Sequence, residues 1–358
     1  MQRIANFRNQ FDFQSVRWKD MIRFVFLIFS ISIFVFFLSL FEHNIRWFPV
    51  HMHKAMKDLE ESLPRIDGII EVHDARIPHS GRNPQFYQRL IAGHKPHVLI
   101  LNKSDLADPK YLDKSAEYIQ SIQANTHVIH TSLETIEFKQ LTNIFGVLLQ
   151  QILDSPRYSR SSKSEYNIIV CGIPNVGKST LSTLILNKRN QILCLLFSIS
   201  VNKLRNLFAN KSSCEQVGAS PGVTRNMREK VKISARPKVF VRDTPGILEP
   251  RLKSADESFR LLLTNCIPIQ QRQLSDIIAD YGLFLLNKYD KQRSYMKYCE
   301  LDRPTDDILT VLLSLAKIKH CTQIYGDKRG YDLTGTALHF INELNKGKFG
   351  KLKIKKRI

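Results

Sequence analysis

The chain has 358 residues and a formal net charge of +20 at neutral pH. With 43% hydrophobic and 24% charged residues it is neither disordered nor fibrous, and its length predicts two domains with additions. The basic surplus points to a polyanionic partner, nucleic acid or an anionic membrane face, against the plainer reading of a basic soluble protein.

The first residues carry Arg3, Arg8, Arg17, Lys19 and Arg23 against only Asp12 and Asp20. An uncharged run from Phe24 to Phe41 follows. As a helix it would span about 27 Å, enough for a thin bilayer. Three readings stand side by side: a membrane anchor behind an Arg-rich mitochondrial leader, a secretory signal, or translated non-coding sequence. Glu42-His-Asn-Ile-Arg46 makes a poor cleavage site for the second.

From Arg46 the texture is globular. Met52 to Leu63 has an amphipathic helical pattern, and Gly68 to His73 reads as a buried strand ending at Asp74. Pro96 to Leu101 is a second buried strand, Lys114 to Ala124 a helix, Thr126 to His130 a third strand, and Phe138 to Leu153 a helix. A polar, basic connector runs from Ser155 to Ser164. Tyr166 to Cys171 is a fourth strand, leading through a Gly-rich turn into a helix from Lys178; Val239 to Arg242 is a strand ending at Asp243. This alternation predicts βαβ units in a doubly wound, mainly parallel α/β sheet. Beyond about residue 255 the strand signal fades, and Leu274 to Leu286 and Asp306 to Ile318 read as helices. The domains expected are a targeting or hydrophobic segment over 1–45, an α/β domain over 46–255 with an insertion at 189–212, a small helical domain over 256–345 and a basic tail over 346–358. The six cysteines are scattered, without CxxC or zinc spacing, which fits a reducing compartment.

Gly172-Ile-Pro-Asn-Val-Gly-Lys-Ser179 fits G-x-x-x-x-G-K-[ST] between a strand and a helix, the context a phosphate-binding loop needs. Backbone N–H groups over Asn175, Val176, Gly177, Lys178, Ser179 and Thr180 can converge on phosphate oxygens. Lys178 can reach the β- and γ-phosphates, and the Ser179 hydroxyl can hold Mg²⁺. Downstream, Asp243-Thr-Pro-Gly246 supplies an Asp for Mg²⁺ and a Gly246 N–H to sense the γ-phosphate. Between them, Thr224 in Ser220-Pro-Gly-Val-Thr224 is a candidate second Mg²⁺ ligand on a loop, with an ordinary Pro-Gly turn as the alternative.

Reading guanine requires a carboxylate toward N1–H and the exocyclic amine, an Asn on the other edge and a Lys over the ring. N-K-x-D supplies these and occurs twice, as Asn102-Lys-Ser-Asp105 before the P-loop and Asn287-Lys-Tyr-Asp290 after it. The first is favoured. It follows a β-rich strand, whereas Tyr281 to Leu286 continues a helix-like stretch. A further strand after Asp105 leads to Thr131-Ser132, where a backbone N–H can touch the base O6. The span from Gly246 to Asn287 is also short for an intervening helix, strand and helix. An ATPase is disfavoured by the same tetrapeptide.

The order NKxD, P-loop, DTPG resembles the circularly permuted GTPases of ribosome assembly. Arg46-Trp-Phe-Pro-Val-His-Met52, Glu71-Val-His-Asp-Ala-Arg-Ile-Pro78 and Ser80-Gly-Arg-Asn-Pro84 are similar to blocks of the YlqF-type branch and its mitochondrial members. The resemblance implies binding of GTP and GDP with Mg²⁺, hydrolysis coupled to maturation of the mitochondrial large ribosomal subunit (its rRNA and proteins), and a place at the matrix face of the inner membrane. A free monomer is expected. Val50 stands where the family has glycine, and the stretch around 191–208 is longer than the family's. These departures favour a second reading, a membrane-associated guanine-nucleotide-binding module with little or no turnover.

For hydrolysis, Ile247 replaces the water-orienting Gln of many small GTPases and cannot hydrogen-bond water. Asn175 resembles the P-loop residue of GTPases that recruit K⁺, which makes K⁺ a further candidate cofactor. His51 is a candidate water-positioning group, with a structural histidine beside Trp47 as the alternative. Asp74, Arg76, Arg82 and Asn83 read as scaffold, since no carboxylate–base pair accompanies them. The basic connector and tail can supply salt-dependent RNA affinity.

Overall fold

Runs of Ile, Val and Leu decide the centre of the molecule. In the computed structural model, β1 (Gly68–Asp74) and β2 (His97–Asn102) are buried at every position, as parallel strands covered on both faces must be. The structure describes residues 57–82, 95–123, 126–154, 165–187, 231–235, 238–246, 254–267, 269, 274–290, 292–325 and 328–350. The apolar run at 24–41, Val50, His51, the connector at 157–163, the stretch at 191–208, Thr224, Ile247 and the last tail residues lie outside them.

The other strands are β3 (Thr126–His130), β4 (Glu165–Cys171), β5 (Val231–Ala235) and β6 (Lys238–Asp243). They join into one six-stranded sheet in the order β3-β2-β1-β4-β6-β5. All pairings are parallel except that of β5 with β6. The P-loop strand β4 sits in the middle of the sheet although the strand carrying Asn102 precedes it in the chain. This order is consistent with the circularly permuted P-loop GTPase domain that the sequence predicts, and the two halves of the sheet join where β1 pairs with β4 in register Gly68↔Ile168 to Glu71↔Cys171.

Helices α1 (Pro109–Ile122), α2 (Phe138–Asp154) and α3 (Lys178–Asn187) alternate with the strands. Ile144, Phe145, Leu148 and Ile152 of α2 pack on Ile70, Val72 and Val98, while Leu112 and Ile119 of α1 meet Leu99 and Leu101 of β2. Helix α1 starts at Pro109, earlier than periodicity suggests, because Asp108 caps it by accepting from the Lys110 N–H and Pro109 occupies the first turn.

The C-terminal part holds α4 (Ala255–Leu263), α5 (Ser275–Tyr289), α6 (Ser294–Tyr298), α7 (Ile308–Lys319) and α8 (Leu333–Asn345). It also contains a hairpin of β7 (Thr322–Tyr325) and β8 (Lys328–Tyr331). To the small helical domain expected there the structure adds this hairpin: its strands are short and polar, and their signal was the two-residue Gly326-Asp327 spacer. One buried apolar cluster runs from Val170 and Leu181 through Phe259, Leu283 and Leu312 to Phe340 and Phe349. The C-terminal helices therefore share a core with the sheet.

Candidate nucleotide site

Five strands run parallel, so the carboxyl ends of β1, β2, β3, β4 and β6 lie along one edge. Open α/β sheets bind ligands at that edge. β4 ends at Cys171 and turns into the P-loop through Gly172. At its φ of +145° a Cβ would lie 2.1 Å from the Val72 carbonyl oxygen, so only glycine lets the loop leave the sheet this close to β1. Gly177, at φ +109°, is equally constrained: a Cβ there would sit 2.3 Å from Asn102 Nδ2.

That closeness brings the base-reading sequence and the P-loop together. Asn102 Nδ2 donates to the Val176 carbonyl at 2.6 Å, and Asn102 Oδ1 accepts from the Leu133 N–H at 2.8 Å. One buried amide thus pins the P-loop to both loops that would enclose a base. Lys103 Nζ donates to the Asn175 carbonyl at 3.0 Å. Its backbone is left-handed at φ 61°, as is that of Asn175 at 59°, and such strained residues concentrate at functional sites. The Ser104 N–H donates to the Thr131 carbonyl at 3.2 Å, tying the turn after β2 to the loop after β3. Asp105 is exposed in the 3₁₀ turn Ser104–Leu106, and Ser132 is half-buried just past β3.

Lys178 opens α3 with its side chain buried, and its Nζ donates to the Ile173 carbonyl at 2.6 Å, inside the loop's own curve. Burial pushes its ammonium down to about 8, against the pull of Asp243. Ser179 and Thr180 follow, exposed on the first turn of α3. Asp243 is buried at the end of β6, opposite Val170 in the register with β4. The next residue, Thr244, donates to the Val170 carbonyl through both N–H and Oγ1 at 3.0 Å. Gly246 lies against Pro174 of the P-loop. The structure therefore gathers Asn102, Lys103, Asn175, Val176, Gly177, Lys178, Asp243 and Gly246 at one edge. His51 and Thr224 fall outside the described residues.

The donor chemistry fits Mg²⁺: a hydroxyl on Ser179 and a carboxylate on Asp243 are hard oxygens beside a phosphate-cradling loop. No group of three or more His, Cys, Asp and Glu suited to a metal occurs among the described residues. The second N-K-x-D is occupied otherwise. Asn287 sits in the last turn of α5, where its Nδ2 donates to Thr305 O and Asp306 Oδ1, each at 2.8 Å, and its Oδ1 accepts from Tyr295 Oη at 2.7 Å. Asp290 accepts from the N–H groups of Gln292 and Ser294.

Sequence reasoning missed two contributors. Asn265, left-handed at φ 59°, presents its carbonyl to Asn175 Nδ2 at 2.7 Å. Asn345, at the end of α8, accepts from Arg76 Nη1 at 2.8 Å. Neither lies in a motif; the only local signal was an Asn just past a helix end in the first case.

No protein-family model matches the chain. A mitochondrial GTPase 1 of Aedes aegypti is 36% identical over 323 residues, covering 87% of this chain and 93% of that protein. The chain belongs to the mitochondrial GTPase 1 family. Another relative is a mitochondrial ribosome-associated GTPase 1 of Xenopus tropicalis, 35% identical over 85% of this chain and 92% of its own length. A ribosome biogenesis GTPase A of Bacillus cereus is 30% identical over 86% and 92%. A solved GDP-bound YlqF structure aligns over 84% of this chain and 98% of its own at a TM-score of 0.46 and 20% identity, too distant a likeness to argue from. As a mitochondrial GTPase 1 family member, the chain is a P-loop GTPase with the guanine nucleotide and Mg²⁺ chemistry that its family implies. Among the described residues no helix is long and apolar enough to cross a membrane.

Proposed function

We propose that the chain hydrolyses GTP to GDP and phosphate during assembly of the mitochondrial large ribosomal subunit, and so supports mitochondrial translation. The observation that carries this reading is the Asn102 amide bridging Val176 and Leu133, which joins a guanine-reading sequence to a P-loop. The ribosomal assignment draws on the names of relatives, ribosome-associated in one case and ribosome biogenesis in another. Their mitochondrial names support a mitochondrial site of action. A matrix-side inner-membrane association, a free monomer and the domain division at residues 45, 255 and 345 belong to the same reading.

The residue roles follow from chemistry. Asp105 accepts from guanine N1–H and the exocyclic amine, Lys103 covers the ring, and the Ser132 N–H meets O6. The backbone from Asn175 to Thr180 cradles the phosphates, and Lys178 gives up the Ile173 carbonyl for phosphate oxygen. Ser179, Asp243 and Thr224 would hold Mg²⁺, which neutralises phosphate charge when bound. The Gly246 N–H senses the γ-phosphate. With Ile247 unable to orient water, His51 takes that place, K⁺ beside Asn175 supplies additional charge, and contacts with the large subunit complete the site.

Multiple-turnover phosphate release, with and without large ribosomal subunits and in KCl or NaCl, tests this. The expected result is stimulation by subunits and by K⁺. Equal rates in all four conditions would remove both stimulators, and no release at all would favour a binding module. Asp105→Asn should move preference from guanine toward xanthine nucleotides by 10-fold or more, on the order of what a lost buried polar contact costs in discrimination.

A further inference from the structure

The Asp74-Ala-Arg76 sequence does more than brace the fold. Asp74 ends β1 with its carboxylate fully buried. Arg76, itself only 1% exposed, grips that carboxylate with Nη2–Oδ2 at 2.7 Å and Nε–Oδ1 at 2.9 Å. The Arg76 N–H adds a third bond to Oδ1 at 3.0 Å. On its other side, Asp74 Oδ2 lies 3.3 Å from Lys103 Nζ. Arg76 Nη1 then donates to Asn345 Oδ1, while Asn345 Nδ2 donates to the Leu263 carbonyl at 2.8 Å.

A polar path therefore runs from the end of α8, through a buried Arg–Asp pair, to the ammonium of the lysine next to the P-loop. Buried bidentate Arg–carboxylate pairs are geometrically stiff. A flexible lysine stem gains order from fixed partners at its tip. Lys103 has two such partners, the Asn175 carbonyl and Asp74, and holds its left-handed backbone between them.

We propose that Asp74 is a positioning residue for guanine recognition: it holds Lys103 over the base site, and the Arg76–Asn345 bond makes that hold depend on the C-terminal helix. This rests on the reading of Asn102, Lys103 and Asp105 as the base reader. It gives the C-terminal helices a physical connection to nucleotide affinity, because movement of α8 would release Arg76 and loosen the lysine.

The test is a pair of double-mutant cycles read by the Kd of a fluorescent GDP. Lys103→Ala should weaken binding about tenfold; unchanged affinity would overturn both the base-reader assignment and this proposal. Asp74→Asn alone should weaken binding by a comparable factor, yet add little in a Lys103→Ala background, since groups acting through one another are non-additive. Full additivity, with Lys103→Ala still harmful, would overturn the positioning role and leave the base reader intact. Asp74→Asn strips a buried arginine of its counter-charge and can unfold the chain. Asn345→Ala, which leaves the Arg–Asp pair in place, runs through the same cycle. A loss of about threefold that disappears when Lys103 is alanine supports the relay, and an additive or absent effect overturns it.

Discussion

Asn102 illustrates how much one side chain can do. Its amide meets the Val176 carbonyl and the Leu133 N–H, both in buried surroundings. Asn102→Leu strands those two groups, and each buried unsatisfied group costs about 1–3 kcal/mol. Urea unfolding should show a loss of that order per group, together with weaker GDP binding. Nearby, His73 and Glu71 give the protein an acid limit. Burial pulls the His73 imidazole below its ordinary 6.5, although Glu71 acts in the opposite sense. The unfolded chain therefore takes up a proton near that pH which the folded chain does not, and stability falls as pH drops below it. Burial raises Glu71, but Arg82 and His97 outweigh it and hold the carboxyl at about 2, against 4.5 when free. Its contribution is present above pH 4.5 and disappears as pH falls from there toward 2. Denaturation midpoints at a series of pH values should decline in these two stages, and His73→Gln should flatten the upper one. At this scale the motifs at 102–105 and 172–179 were legible, because phosphate and guanine chemistry fixes residue types at fixed spacing. Asn265 and Asn345 were not, since a carbonyl and a lone amide gain their roles only through contacts distant in sequence.

Elements were legible in proportion to their burial. β1, β2 and β4 announce themselves as Ile- and Val-rich runs, and the structure places them within a residue of the expected bounds. The edge strand β5 and the hairpin β7–β8 are four or five residues long and mix polar with apolar residues, Lys232, Thr322 and Gln323 being exposed, so their periodicity is weak. Helices α4 and α8 went unread although each has a capping signal: Ser254 accepts from the Glu257 N–H, and Asp332 from the Gly335 N–H. Helix α7 shows the value of such caps. Asp307 accepts from the N–H groups of Leu309 and Thr310, and Asp307→Ala should lower stability by about 1 kcal/mol in urea titration. The side-chain hydrogen bonds at Asp307 stay within residues 305–310, so GDP affinity should stay unchanged in the same variant.

Across the whole molecule, the sheet and the C-terminal helices bury one another. Phe340 of α8 is fully enclosed in the cluster that reaches β4 and α3. Phe340→Ala should cost about 3–5 kcal/mol, and far-UV circular dichroism and loss of bound fluorescent GDP should then decline together on heating. Two separated transitions would show that the helical part unfolds independently. Length predicts two domains, and only the contacts reveal that the sheet and the C-terminal helices share an interior.

The strand order has one more consequence, for biosynthesis. β1 lies at the middle of the finished sheet, yet it is the first of the described strands to emerge from a translating ribosome. Its second edge is filled only by β4, after β2, β3, α1 and α2 have been made. Until then a strand that is buried at every position in the folded chain presents open hydrogen-bonding groups, the kind of edge that invites aggregation. The nascent chain thus passes through an unusually exposed interval, and holdase chaperones should bind ribosome-stalled chains ending between β3 and β4 and release them once β6 is complete.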